Sequence, residues 1–226
     1  MASRPVHFIW ILDCSDSMSI MGKIGELNFA IREAVPEMRK AASENPAASL
    51  LVRAITFAQY AAWHVEDPTP VDEFNWKDVG TSGWTSLGEA LKLAATALST
   101  PPMPERALRP VLALVSDGQP TDDWRAGLRA IDATPWGKRA VRVAIAIGRD
   151  AEKSVLKEFL ANPELDPIEA KNSAQLARAI RWASTMAVRA SSTPIGGGNA
   201  AQSNLLKQPV ATQPPASVAD DDDEVW

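Results

Sequence analysis

The chain has 226 residues, 46% of them hydrophobic and 23% charged. This is the balance of a globular domain of ordinary size with some chain to spare, and no apolar stretch approaches the roughly 18 residues that cross a bilayer, so wholesale disorder and a membrane-spanning protein are set aside. The net charge of −5 has one source, because Asp220–Glu224 supply five negatives and leave 23 acidic against 23 basic residues, a balance with no footprint for nucleic acid.

Met1 to Pro5 is too short for a charged-plus-apolar leader, and Cys14 is the only cysteine, so no internal disulfide forms and a reducing cytoplasm is the expected compartment. The first element is Phe8-Ile9-Trp10-Ile11-Leu12, an apolar run without polar alternation, which reads as a strand buried on both faces of a parallel sheet. It ends in Asp13-Cys14-Ser15-Asp16-Ser17. Ligands of open α/β sheets gather beyond the carboxyl ends of strands, and Asp13, Ser15 and Ser17 at alternate positions suit a hard cation. One carboxylate with neutral oxygens favours Mg²⁺ over a fully caged Ca²⁺. Taken alone, the same residues read more readily as a strand end and helix caps.

Helical spacing runs from Ile24 to Ala42, with a kink or break expected at Pro36. After a turn at Ser43–Pro46, strands over Ser49–Phe57 and Ala61–Val65 form an antiparallel edge hairpin, and Asp67 to Trp76 reads as a loop. His64 and His7 read as structural, since no nucleophile motif stands near either. Thr85 is the expected N-cap of a helix over Ser86–Leu98, in a position to cap or to reach a metal. A second doubly buried strand, from Pro110, ends at Ser116-Asp117-Gly118, and Asp117 falls beside Asp13 if the two strands are neighbours. Asp122 and Asp123 are expected to cap the next helix, which runs through Ile131. A third interior strand, Val141–Ile147, stops at Gly148-Arg149-Asp150. It is followed by a helix over Glu152–Leu160, a short strand near Pro167-Ile168-Glu169 and a last helix from Ser173 to about Arg189. The alternation predicts an α/β fold: a doubly wound, mostly parallel, Rossmann-like sheet with one antiparallel edge strand and helices on both faces.

Residues 1–190 therefore form one domain. Residues 191–226, with Gly196-Gly197-Gly198, scattered Pro, Gln and Ser, and the acidic run, have a composition expected to stay disordered. The segment 220–226, acidic and then apolar at Val225-Trp226, is a candidate docking segment for a partner.

With Asp13, Ser15 and Ser17, then Thr85, then Asp117 in this order, the chain resembles the von Willebrand factor A domain over roughly residues 4 to 188. The resemblance implies a metal-ion-dependent adhesion site in which Ser15 and Ser17 bind the ion directly, Thr85 joins in some states, and Asp13 and Asp117 act partly through water. Trp84 departs from the pattern, since many relatives carry a small residue there. Around Ser116-Asp117-Gly118-Gln119-Pro120-Thr121-Asp122 the chain is similar to stand-alone bacterial proteins of tellurium-resistance and stress gene clusters (TerY type). That likeness implies stress or defence signalling beside a protein kinase and a PP2C-type phosphatase.

The leading reading is a metal-dependent protein-protein interaction module, not an enzyme, in which Mg²⁺ (Mn²⁺ or Ca²⁺ as alternatives) receives a partner's acidic side chain. Trp84 and Trp124 are candidates to border that face, as binding anchors or as buried packing. The rival is Mg²⁺-dependent phosphoryl transfer of the haloacid-dehalogenase kind, which needs a second Asp where Ser15 stands and a downstream Lys motif that is missing. Serine hydrolysis lacks a Gly-x-Ser-x-Gly elbow. A metal-free scaffold is the third possibility.

Overall fold

The computed structural model describes residues 3–117, 119–148 and 151–191, so the expectations for Gly118, for Arg149-Asp150 and for 192–226 lie outside the described residues. Six strands form one sheet in the order β3-β2-β1-β4-β5-β6. They are β1 (Arg4–Asp13), β2 (Ala48–Phe57), β3 (Ala61–Pro70), β4 (Val111–Ser116), β5 (Val141–Ile147) and β6 (Ile168–Ala170). Every neighbouring pair is parallel except β2 with β3, so β3 is the antiparallel edge strand expected from the sequence. Five helices cover the sheet: α1 (Lys23–Ser43), α2 (Leu87–Ala97), α3 (Trp124–Ala133), α4 (Lys153–Leu160) and α5 (Ser173–Ser191).

The unbroken apolar runs are explained by cover on both sides. On β1, Val6, Phe8, Trp10 and Leu12 join the core that buries Leu27, Ile31 and Met38 of α1 and Leu176 and Ile180 of α5. Ile9 and Ile11 join the opposite core with Leu91 of α2, Leu128 of α3 and Phe159 of α4. Alternate side chains leave opposite faces of a strand, so a strand sandwiched between helix layers must be apolar throughout. β1 lies between β2 and β4. The chain winds to one side through β2 and to the other through β4, which places a crevice at the carboxyl ends of β1 and β4.

Two expectations are corrected. α1 runs as one helix from Lys23 to Ser43 with Pro36 inside it, so of the expected kink or break the break does not occur. Pro36 is exposed while Val35 and Met38 on either side are buried, so packing of the flanking side chains holds the helix although proline removes one of its donors. β3 is longer than Ala61–Val65, because the chain pairs again at Thr69 and Pro70 after an irregular register, and the expected loop begins later. An edge strand tolerates Pro68 and Pro70, since no further strand needs their missing donors. No helix among the described residues is long and apolar enough to cross a membrane.

Candidate metal centre

β1 delivers Asp13 to the crevice fully buried, and the turn after it folds back on that carboxylate. Asp13 Oδ1 accepts from the backbone N–H of Ser15 at 2.9 Å and from Ser15 Oγ at 2.6 Å, and Ser15 Oγ lies 2.9 Å from Ser17 Oγ. From β4, Ser116 Oγ donates to Asp13 Oδ2 at 2.5 Å. Asp13 is thus a hub that fixes the positions of two hydroxyls. Burial, then the nearby negative charge of Asp117, push its pKa up to about 6 against the hydrogen bonds from Ser116 and Ser15.

The loop carrying Thr85 is held by three others. Asp16 Oδ1 accepts from Gly83 N at 2.9 Å, while Asp16 N donates to Gly83 O at 3.0 Å. Gly83 has φ +62°, and a Cβ there would stand 3.0 Å from Cβ of Gln59, so this close turn requires glycine. On the other side Thr121 N donates to Thr85 O at 2.9 Å, and Thr85 N donates to Thr121 Oγ1 at 3.3 Å.

Thr85 does not cap α2. Ser86 occupies that position without a side-chain cap, its hydroxyl donating instead to Gln59 O at 2.9 Å. The first turn of α2 is capped through space: Asp122 accepts from Gly88 N at 2.8 Å and Glu89 N at 3.0 Å. Of the two expected caps of α3, only Asp123 serves, accepting from Ala126 N at 3.0 Å. The reach of Asp122 depends on α2 and α3 touching at glycine, since a Cβ on Gly88 would meet Asp123 O at 2.7 Å. The Thr85 hydroxyl, relieved of capping, makes no hydrogen bond among the described residues.

These elements enclose a cleft of about 480 Å³ lined by Ser15, Ser17, Thr85 and Asp117, with Asp16, Gly83, Trp84, Gln119 and Thr121 around them. All five residues singled out in the sequence therefore converge, four on the cleft wall and Asp13 directly behind Ser15. Asp117 is 8% exposed, and its Oδ1 is buried without a hydrogen-bond partner. An unpartnered buried carboxylate oxygen is costly in isolation and points to a missing cation or donor. Sequence reasoning missed Ser116, Asp16 and the through-space role of Asp122. A hydroxyl just before Asp117 and the acidic residue inside Asp-x-Ser-x-Ser were the available signals.

Trp84 is 67% exposed at the cleft wall, whereas Trp124 is buried at 9% in the helix-covered core. His64 is half-buried, with Nε2 2.8 Å from Lys77 O and its ring against Trp76. His7 is buried on β1. Neither histidine lines the cleft.

Neither a protein-family model nor a curated protein matches the sequence. Solved structures do match. A von Willebrand factor type A protein from Catenulispora acidiphila superposes with a TM-score of 0.59 at 16% identity, covering 83% of this chain and 43% of that one. The chain has the von Willebrand factor A fold. The pilus adhesin SpaC from Lactobacillus rhamnosus GG, in its open conformation, gives 0.65 at 12% identity over 84% of this chain and 30% of that chain. Manganese-loaded TRAP protein from Plasmodium vivax gives 0.56 at 15% identity over 80% and 73%. This chain spans less than half the length of the first two.

The von Willebrand factor A fold sets the strand order, and the donor set can be tested for metal on its own chemistry. Among the described residues no three His, Cys, Asp or Glu side chains cluster as a ligand group. A cation here would rely on the hydroxyls of Ser15, Ser17 and Thr85 with Asp117 and Asp13. Such a set, all oxygen with two carboxylates, fits a small hard cation that retains water and disfavours Zn²⁺, which prefers nitrogen and sulfur. Cys14 gives no soft ligand, since burial and then Asp13 push its thiol up to about 12.

Proposed function

We propose that the cleft binds a divalent cation, Mg²⁺ first and Mn²⁺ or Ca²⁺ as alternatives, and that the protein is a metal-dependent interaction module rather than an enzyme. Ser15, Ser17 and Thr85 would hold the ion, with Asp13 and Asp117 balancing its charge directly or through water, and the acidic side chain of a protein partner would complete its shell. The ion supplies a concentrated positive charge in a partly desolvated cleft, where its attraction for a carboxylate far exceeds that in bulk water. This chain's own part is to preorient the hydroxyls through Asp13 and Ser116, and to keep Thr85 free by capping α2 from Asp122.

The observation that carries the reading is the buried Asp117 Oδ1, without a partner, on a cleft that also gathers three hydroxyls. The manganese-loaded state of TRAP and the adhesin role of SpaC, at fold-level similarity, support it. For the wider setting we assign bacterial stress or defence signalling with a protein kinase and a PP2C-type phosphatase as partners, on the likeness of Ser116–Asp122 to TerY-type proteins. Calorimetry with MgCl₂ and MnCl₂ on wild type and Ser15→Ala tests the site. Saturable binding by the wild type alone is expected, and equal heats from both proteins would sink the reading.

A further inference from the structure

Five large apolar side chains are exposed among the described residues: Ile20, Met21, Phe29, Tyr60 and Trp84. Four of them stand on the segments that follow β1 and β2 or lead into α2 at the carboxyl end of the sheet, and one of these, Trp84, lines the cleft. Ile20 and Met21 follow Ser15 and Ser17 in the same loop, Trp84 adjoins Thr85, and Tyr60 follows Gln59, whose side chain abuts Gly83. A surface that pairs a site for a carboxylate with an apolar rim selects an acidic segment flanked by large apolar residues. The chain carries one: Asp220-Asp221-Asp222-Asp223-Glu224-Val225-Trp226.

We propose that the chain's own segment Asp220–Trp226 docks on this cleft, a carboxylate of the acidic run meeting the bound cation and Val225 and Trp226 lying against the rim around Trp84. The inference rests on the cation reading above. Reach permits it. α5 ends at Ser191, and Arg189 Nη2 pairs at 3.0 Å with Glu44, just past the far end of α1, while α1 begins at Lys23 beside the cleft loop. The 21 residues of α1 put roughly 30 Å between these ends. Residues 192–219 can span at most roughly 90 Å, enough to bridge the gap, and their Gly-, Ser-, Gln- and Pro-containing composition predicts an average span of roughly 30 Å. A tether matched to its span gives a local concentration in the millimolar range.

Charge makes the docking conditional. Without a cation the cleft presents Asp16 and Asp117, with Asp13 behind them, and repels the acidic run. With a divalent ion bound the sign at the ion reverses. The cleft is then closed to acidic partners until one outcompetes the tether, so the docked segment sets a threshold on capture.

The test uses the full chain in MgCl₂ and a fluorescein-labelled peptide with the sequence of residues 217–226. It compares wild type with a variant in which Asp220, Asp221, Asp222 and Asp223 become Asn and Glu224 becomes Gln. For a peptide affinity near 0.1 mM, the tethered segment should weaken peptide binding to wild type roughly tenfold relative to the variant. EDTA should abolish binding to both. In parallel, amide NMR signals of Asp220–Trp226 should shift on adding Mg²⁺ to wild type and stay put in Ser15→Ala. Equal peptide affinities, with Mg²⁺ binding intact by calorimetry, would overturn the docking and leave the metal site standing. Tail shifts that persist in Ser15→Ala would overturn it as well, by showing that the acidic run takes the metal unaided. Shifts that grow with protein concentration would replace it with capture by a second copy. Failure of Mg²⁺ binding in calorimetry would remove the metal reading itself.

Discussion

The two ends of β1 carry the same physical problem and resolve it differently. Near its start, His7 is buried with Nε2 unpartnered, beside Arg53, which stacks on Trp63 and donates to Glu66 O at 2.6 Å. Near its finish, Asp13 is buried beside Asp117, whose Oδ1 is equally unpartnered. Desolvation acts against the charged form at both, so His7 is lowered to about 4, with Arg53 as the second cause, and Asp13 is raised to about 6. Only the far end opens onto a cleft where further oxygens converge. A buried unpartnered atom therefore points to a ligand only in company; alone at the packed end, it marks a neutral side chain retained in the core.

The largest expected effect comes from setting the two ends against each other by pH, in EDTA. Asp13, with its folded pKa above the ordinary 3.8, costs stability at neutral pH and returns up to about 3 kcal/mol as pH falls from above 6 to below 4. His7, with its folded pKa below 6.5, contributes fully above that pH and loses stability as pH falls toward 4. The slopes oppose. Denaturant titrations should show Asp13→Asn losing stability toward acid more steeply than wild type, and His7→Gln gaining it. Parallel profiles would mean the ends do not differ as described.

Next in size is the metal response. Wild type at a hundred times its dissociation constant in MgCl₂ should gain about 2.7 kcal/mol, read as a rise in Tm. Asp117→Ala, freed of an unpartnered buried carboxylate and of its repulsion of Asp13, should unfold in EDTA at or above the wild-type midpoint and lose that rise, whereas His7→Gln should retain it. A Mg²⁺-dependent rise that survives in Asp117→Ala breaks the contrast.

Gly88→Ala sharpens the comparison by spoiling the cleft from a distance, since its Cβ meets Asp123 O at 2.7 Å. A loss of roughly 2 kcal/mol in chemical unfolding is expected, together with weaker Mg²⁺ binding. Asp122→Ala removes the cap of α2 and should cost about 1 kcal/mol, with Mg²⁺ affinity falling because the Thr85 loop is released. The smallest stability effect belongs to Trp84→Ala, within about 0.5 kcal/mol for an exposed side chain. That variant should nonetheless weaken capture of the acidic peptide while calorimetric Mg²⁺ binding stays unchanged.

Much of this was legible in the sequence. Val141–Ile147 is found as read, and the last helix starts at Ser173 as read and runs just past the expected Arg189, to Ser191. The errors fell where a local signal was met from elsewhere. Pro36 reads as a kink or a break, and the break does not occur, because the buried flank of α1 carries the helix through it. The prolines after Asp67 read as a loop, yet the edge position tolerates them in β3. Thr85 reads as a cap, yet Asp122 caps α2 from another loop.

The order of strands and helices follows from the sequence alone, because an apolar run without alternation is stable only when covered on both faces, and that demand is local to each run. Which oxygen satisfies which donor is not local. A helix end accepts any carboxylate brought within reach, so only the packing of α2 on α3, close enough that a Cβ on Gly127 would meet Gly88 O at 2.7 Å, determined that Asp122 would cap α2 and leave Thr85 on the cleft wall uncommitted to capping.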